Sequence, residues 1–154
     1  MLTILSNVPV WVFPLFVLLA LLGLQATRER RVPVAVIAAL PLLGGLTLNN
    51  ILSLDPGALI WGVAAATYAL GALYGARLQK RLILARDGRF VRVAGEWVTL
   101  TAMMVLFSAG FVRGVVAAVS PDLLNGPVFA SVFTAIICLP AGQFLGRALT
   151  VLRG

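Results

Sequence analysis

The chain has 154 residues, of which 61% are hydrophobic and 11% charged. A soluble domain carries about 25% charged residues, so this composition excludes a water-facing globule and leaves lipid as the solvent for most side chains. The formal charge of +7 would suggest nucleic acid in a soluble protein, but the basic residues here lie between apolar runs, which predicts anionic lipid headgroups as the partner and no nucleic acid.

A hydrocarbon core of ~30 Å needs ~20 apolar residues in a helix. Five stretches meet that length, roughly Val8 to Thr27, Val34 to Leu54, Pro56 to Ala76, Trp97 to Val119 and Val128 to Leu149. The first stretch has no charge before Arg28, Arg30 and Arg31. A secretory signal places its positive charges ahead of the apolar core, so a retained first span is expected. The sequence therefore predicts an all-α integral membrane protein, a single transmembrane domain over residues 1–154 with five transmembrane helices.

Between the third and fourth spans, Leu82 to Val93 differs in kind. Asp87-Gly88 suits the tight turn of a two-residue hairpin, and the flanks are rich in β-branched and apolar residues. A short cytoplasmic β-hairpin is predicted, with Leu84 facing Val91 and Leu82 facing Val93. An irregular basic loop is the alternative, because an isolated hairpin is marginal in water.

Orientation follows from the cations. With five crossings, every one of the 12 basic residues except Arg113 falls on one side. That side takes Arg28, Arg30 and Arg31, then Arg77, Lys80, Arg81, Arg86, Arg89 and Arg92, and finally Arg147 and Arg153. The other side receives Asp55 and Asp122. The basic side is expected to be cytoplasmic, with the N-terminus outside, the C-terminus inside and anionic headgroups against the basic loops. Glu29, Asp87 and Glu96 lie among these arginines and are expected to form surface ion pairs. The abundance of Leu, Ala and Arg fits a bacterial origin, and the expected location is the inner (cytoplasmic) membrane.

Spans 2–3 and 4–5 resemble each other. GALYGARL from Gly71 matches GQFLGRAL from Gly142, and both units run from inside to outside and back, which would make them a parallel repeat. Gly71 and Gly75, Gly110 and Gly114, and Gly142 and Gly146 are each spaced four apart on one helix face. Small residues at that spacing let helix backbones approach closely, so spans 3, 4 and 5 are expected to pack through them. Pro14, Pro41 and Pro140 fall within three of the spans, as kinks or as breaks of the kind that build transporter sites.

Arg113 is the one charge expected inside a span. It lies 16 residues beyond Trp97, or ~24 Å along a helix, just below the outer boundary of the core. An ionisable residue there is a site hypothesis. Asn49, Asn50, Asp55 and Asp122 belong to the same outer layer. Two readings follow. In one, Arg113 snorkels to outer headgroups or pairs with Asp55 or Asp122 as a structural contact. In the other, Arg113 with the asparagines holds an anionic group.

Reactive groups are scarce. One cysteine, Cys138, and no histidine exclude a Cys-x-x-Cys redox pair, a histidine-ligated haem and ordinary zinc sites, so no cofactor and no metal is expected. No catalytic residue is identified. Ser131, Thr134 and Cys138 make a small polar stripe on span 5, expected to hydrogen-bond between helices.

GEWVTLTAMMVLFSAGFVRGVVAAVSP from Gly95, followed by AGQFLGRAL, resembles the C-terminal half of a bacterial domain-of-unknown-function family of small five-span inner-membrane proteins. The first span followed by RERRVP is similar to the start of that family. More remotely, five spans with an Asp-Gly loop after the third resemble the CcdC-like membrane proteins, linked by name to cytochrome c biogenesis. The first resemblance implies a membrane location without an activity, and neither implies catalytic residues. Two functions are therefore expected to compete. One is a non-enzymatic accessory subunit or homo-oligomer, with another membrane subunit or a second copy as partner. The other is a small carrier or channel for an anionic or amphiphilic solute, with its site near Arg113.

Overall fold

The computed structural model describes residues 12–52, 57–124 and 126–153. Helix α1 spans Val12–Ala26 and leads into strand β1, Arg30–Pro33. Helix α2 (Val34–Ala39), a 3-10 turn (Leu40–Leu42) and helix α3 (Leu43–Leu52) follow as one apolar rod. Helix α4 (Ala58–Leu82) runs directly into the hairpin strands β2 (Ile83–Asp87) and β3 (Phe90–Val93). Helix α5 (Val98–Val119), a short α6 (Pro121–Leu124) and α7 (Pro127–Arg153) complete the chain.

Four of these rods are long and apolar enough to cross a membrane: residues 34–52, α4, α5 and α7. Helix α1 is apolar throughout but has 15 described residues, ~22 Å of helix. The first expected span, Val8 to Thr27, overlaps this shorter apolar helix, and its expected start at Val8 lies outside the described residues. Prolines punctuate the rods in three ways. Pro41 sits inside the 3-10 turn that separates α2 from α3. Pro121 and Pro127 open α6 and α7, where the missing N–H has no helical partner to lose. Pro140 lies within an unbroken α7, and Pro14 lies in the first turn of the described α1.

The centre of the bundle is α7, which packs against α2, α3, α4 and α5, while α1 packs on α5. The tightest contact joins α4 to α7. A Cβ added at Gly71 would lie 2.1 Å from the carbonyl oxygen of Leu139, and one at Gly75 would lie 2.1 Å from that of Gln143. Reciprocally, a Cβ at Gly142 would meet the Tyr68 carbonyl at 2.1 Å, and one at Gly146 the Ala72 carbonyl at 1.9 Å. Residue numbers rise together along both helices, so α4 and α7 run parallel, backbone against backbone. The matched motifs GALYGARL and GQFLGRAL are the two halves of this contact.

Span 4 departs from the expectation. A Cβ at Gly110 or Gly114 would meet nothing within 4 Å among the described residues. Helix α5 instead reaches its neighbours through Ala102 and Ala109, which are buried, and through Gly23 of α1, whose Cβ would collide with Leu100. The Gly110 face is turned away because Ala109, the next residue round the helix, is the one facing α7.

The hairpin is part of a three-stranded antiparallel sheet in the order β1-β3-β2. The loop residues are Gly88 and Arg89, with Gly88 at φ +57°, a left-handed conformation that glycine adopts without strain. Asp87 then pairs with Phe90 and Arg86 with Val91, so the expected facings of Leu84 with Val91 and Leu82 with Val93 are shifted. Two causes set the register. Helix α4 continues six residues beyond the expected Ala76 and takes Leu82 with it. The strand β1, unforeseen in the Arg-rich linker, pairs Val32 with Val91 and Arg30 with Val93. Val32, Val91 and Val93 point inward onto Val151 of α7, and that burial stabilises a hairpin that would be marginal alone. The linker, the hairpin and the end of α7 therefore gather at one end of the bundle.

Candidate functional site

At this basic end the bundle holds a buried charged cluster. Gln79 of α4 is 0% exposed, Arg147 of α7 5% and Glu96, just before α5, 8%. Each reaches the cluster for a local reason. Gln79 continues the Gly71-Gly75 face by one more turn of the lengthened α4. Arg147 follows Gly146, so the backbone contact between the helices brings its stem into the interface. Glu96 is held because its backbone N–H donates to the Ala26 carbonyl at 2.9 Å and because Gly95 passes against Thr27, where a Cβ would lie 2.0 Å from the carbonyl oxygen. A carboxylate at the start of α5 also suits the positive end of the helix dipole.

The Arg147 guanidinium donates from Nε to Gln79 Oε1 at 2.8 Å and from one terminal nitrogen to Glu96 Oε1 at 2.5 Å and Thr99 Oγ1 at 2.6 Å. The Thr99 hydroxyl in turn donates to the same Glu96 oxygen. Four side chains, three from α4, α5 and α7 and one from the loop before α5, thus form one network. Arg30 of β1 borders it, and its guanidinium is held below the usual arginine range by burial first, then by the nearby charge of Arg147, partly offset by Glu96. Glu96 Oε2, Gln79 Nε2 and the neighbouring Gln143 Nε2 are buried without a hydrogen-bond partner among the described residues.

The expectation that Glu96 forms a surface ion pair is thereby corrected. Its partner is the buried Arg147, because docking of Gly95 onto Thr27 draws Glu96 beneath α1. Glu29 does lie at the surface, accepting from Arg92 at 2.6 Å with both side chains about half exposed. A signal for the buried cluster was present in the sequence: Gln79, Gln143 and Arg147 continue or adjoin the glycine face. Their position near the expected membrane boundary masked it, since an arginine there ordinarily meets headgroups.

The outer layer is sparser. The Arg113 guanidinium donates to Asn50 Oδ1 at 2.8 Å, joining α5 to α3, and both residues are half-buried. Asn49 is exposed, and Asp122 is exposed in α6 with no ion pair among the described residues. Asp55 lies outside the described residues. The structure thus brings Arg113 and Asn50 together and leaves Asn49 apart. Below them, Thr47, Leu48 and Ile51 of α3 with Trp61, Tyr68 and Cys138 wall an open cavity of about 400 Å³.

The chemistry available is limited. The Glu96 oxygen that Arg147 grips already accepts two hydrogen bonds, from Arg147 and from Thr99. Cys138 and Thr134 are buried on α7, and Thr134 Oγ1, expected to bond between helices, has no partner among the described residues. No group of three or more Cys, Asp or Glu side chains with metal-binding proximity occurs among the described residues. Comparisons with protein-family models, with curated proteins and with solved structures give no match for this chain.

Proposed function

We propose that this chain is a non-enzymatic multi-pass protein of a bacterial inner membrane, crossing five times with its basic end in the cytoplasm. It works as an accessory subunit or a homo-oligomer. The observation that carries this reading is the placement of its most buried charges: Arg147 and Glu96 are engaged with each other, with Thr99 and with Gln79. Groups held in that way fix three helices relative to one another and present no open face to a substrate. The open face of α5 at Gly110 and Gly114 supports association, because small residues admit the backbone of another helix. The basic end supports the membrane placement. Arg31, Arg86 and Arg89 are exposed there, and cations gathered at one end of an apolar bundle suit an anionic surface.

Native mass spectrometry of the full chain, extracted in a mild detergent, tests this proposal. The expected result is a homo-oligomer, or a complex with a second membrane subunit, unchanged in solute content by Arg113→Leu. A bare monomer retaining an anionic solute that Arg113→Leu releases would overturn it.

That second outcome corresponds to the alternative of a small carrier for an anionic or amphiphilic solute. The specific observation favouring it is the hydrogen bond from Arg113 to Asn50 above a cavity walled by the same helix α3.

A further inference from the structure

A second depression, about 790 Å³, runs between α4 and α7 from Ala69, which also borders the first cavity, towards the basic end. Its floor and walls are small or apolar, from Ala69, Ala72 and Ala76 on α4 and Gly146 and Leu149 on α7, and its basic end carries Lys80 and Arg153. The close approach of the two helices where Gly146 meets Ala72 leaves little side-chain bulk on the floor, with Leu73, Ile83 and Thr150 at its margins. From Ala69 to Lys80 the groove follows 11 residues, ~16 Å of helix, which is half of a ~30 Å hydrocarbon core. An apolar channel one leaflet deep therefore ends in two cations at headgroup height. Neither cation is in an ion pair among the described residues.

We infer that this groove is a binding site for a single anionic phospholipid of the leaflet at the basic end. The phosphate sits between Lys80 and Arg153, and an acyl chain lies along the alanine wall. Charge complementarity selects the headgroup, and the groove depth selects a diacyl lipid over a free phosphate, which would leave the apolar channel unfilled. The inference rests on the membrane reading proposed above and adds a discrete site to it.

The test uses the full chain in nanodiscs of phosphatidylcholine doped with phosphatidylglycerol of the same chain length, with retained lipid read by native mass spectrometry. Phosphatidylglycerol should be retained in preference to phosphatidylcholine. Lys80→Gln and Arg153→Gln should each weaken retention about fivefold, the equivalent of ~1 kcal/mol per basic residue at an anionic surface. Ala69→Phe, an exposed position, should block the deep end and weaken retention of long-chain but not short-chain phosphatidylglycerol. Arg86→Gln with Arg89→Gln, outside the groove on the hairpin, should leave retention unchanged. Equal retention of both lipids, or an equal loss with the hairpin variants, would overturn the site while leaving the membrane reading intact. Failure of the chain to enter the membrane fraction at all would instead overturn the membrane reading.

Discussion

At the scale of single residues, the Arg147–Glu96 pair sets the strongest expectation. Removing one partner of a buried ion pair leaves the other charge uncompensated, at a cost of about 3–5 kcal/mol. Glu96→Ala and Arg147→Ala should therefore each lower the thermal unfolding midpoint in detergent sharply. The double variant Glu96→Leu with Arg147→Met should recover much of the loss, since apolar replacement of both partners removes the desolvation penalty along with the attraction. A double variant as unstable as the sum of the singles would refute the pairing. Arg30 should behave in the opposite sense. Its proton affinity is lowered in the folded chain by burial and by Arg147, so the charged form that prevails at neutral pH is disfavoured by folding. Arg30→Gln should be neutral or slightly stabilising, within about 1 kcal/mol because the site is partly solvated. A marked loss would show that the attraction of Glu96 outweighs burial and the repulsion from Arg147.

At the scale of elements, the glycine pairs divide into two classes. Gly71, Gly75, Gly142 and Gly146 sit where an added Cβ would lie within about 2 Å of a carbonyl oxygen on the opposing helix. Gly146→Val should separate α4 from α7 and abolish the monodisperse peak in size-exclusion chromatography, whereas Gly114→Val should fold normally. If Gly114→Val also lowers the oligomer mass without loss of folded monomer, the α5 face is the contact between copies. The sequence made these glycines visible by their spacing but could not say which pair had a partner. Spacing marks a helix face without its azimuth relative to the other helices, and Ala109 beside Gly110 was an equal competitor for the interface. The apolar rods were legible for the same reason that makes hydropathy informative in lipid: every backbone group must be paired within the helix. The third strand was not. Arg30 to Pro33 carries too few apolar residues to alternate, and it pairs with β3 across the 56 residues that lie between the two strands. Of the candidate outer site, Arg113 and Asn50 were legible as two polar residues at one depth, whereas the inner cluster depends on how Gly95 docks on Thr27, a contact with no periodicity to read.

At the scale of the whole molecule, the directions of the rods have a checkable consequence. Helices α4 and α7 run parallel while α5 runs against both, as the contact of Glu96 and Thr99 at its start with Arg147 near the end of α7 requires. The hairpin and the α5–α7 turn then lie at opposite ends. Cys138 is the sole cysteine and is buried, so cysteines added at exposed sites can be followed against little background. Arg89→Cys should react with a membrane-impermeant maleimide only after the inner face is opened, and Asp122→Cys should react from outside in intact cells. The reverse pattern would invert the orientation expected from the basic residues. The central position of α7 also has a temporal side, because it is made after every helix it contacts. Arg147 follows Glu96 by 51 residues, which at 5–20 residues per second is about 3–10 s of synthesis. For that interval the earlier helices lack their hub, with Gln79, Glu96 and Thr99 at one end of the bundle, where water can stand in for the arginine still to come. The placement of the buried cluster at one end of the bundle, rather than at its middle, is what makes that wait tolerable.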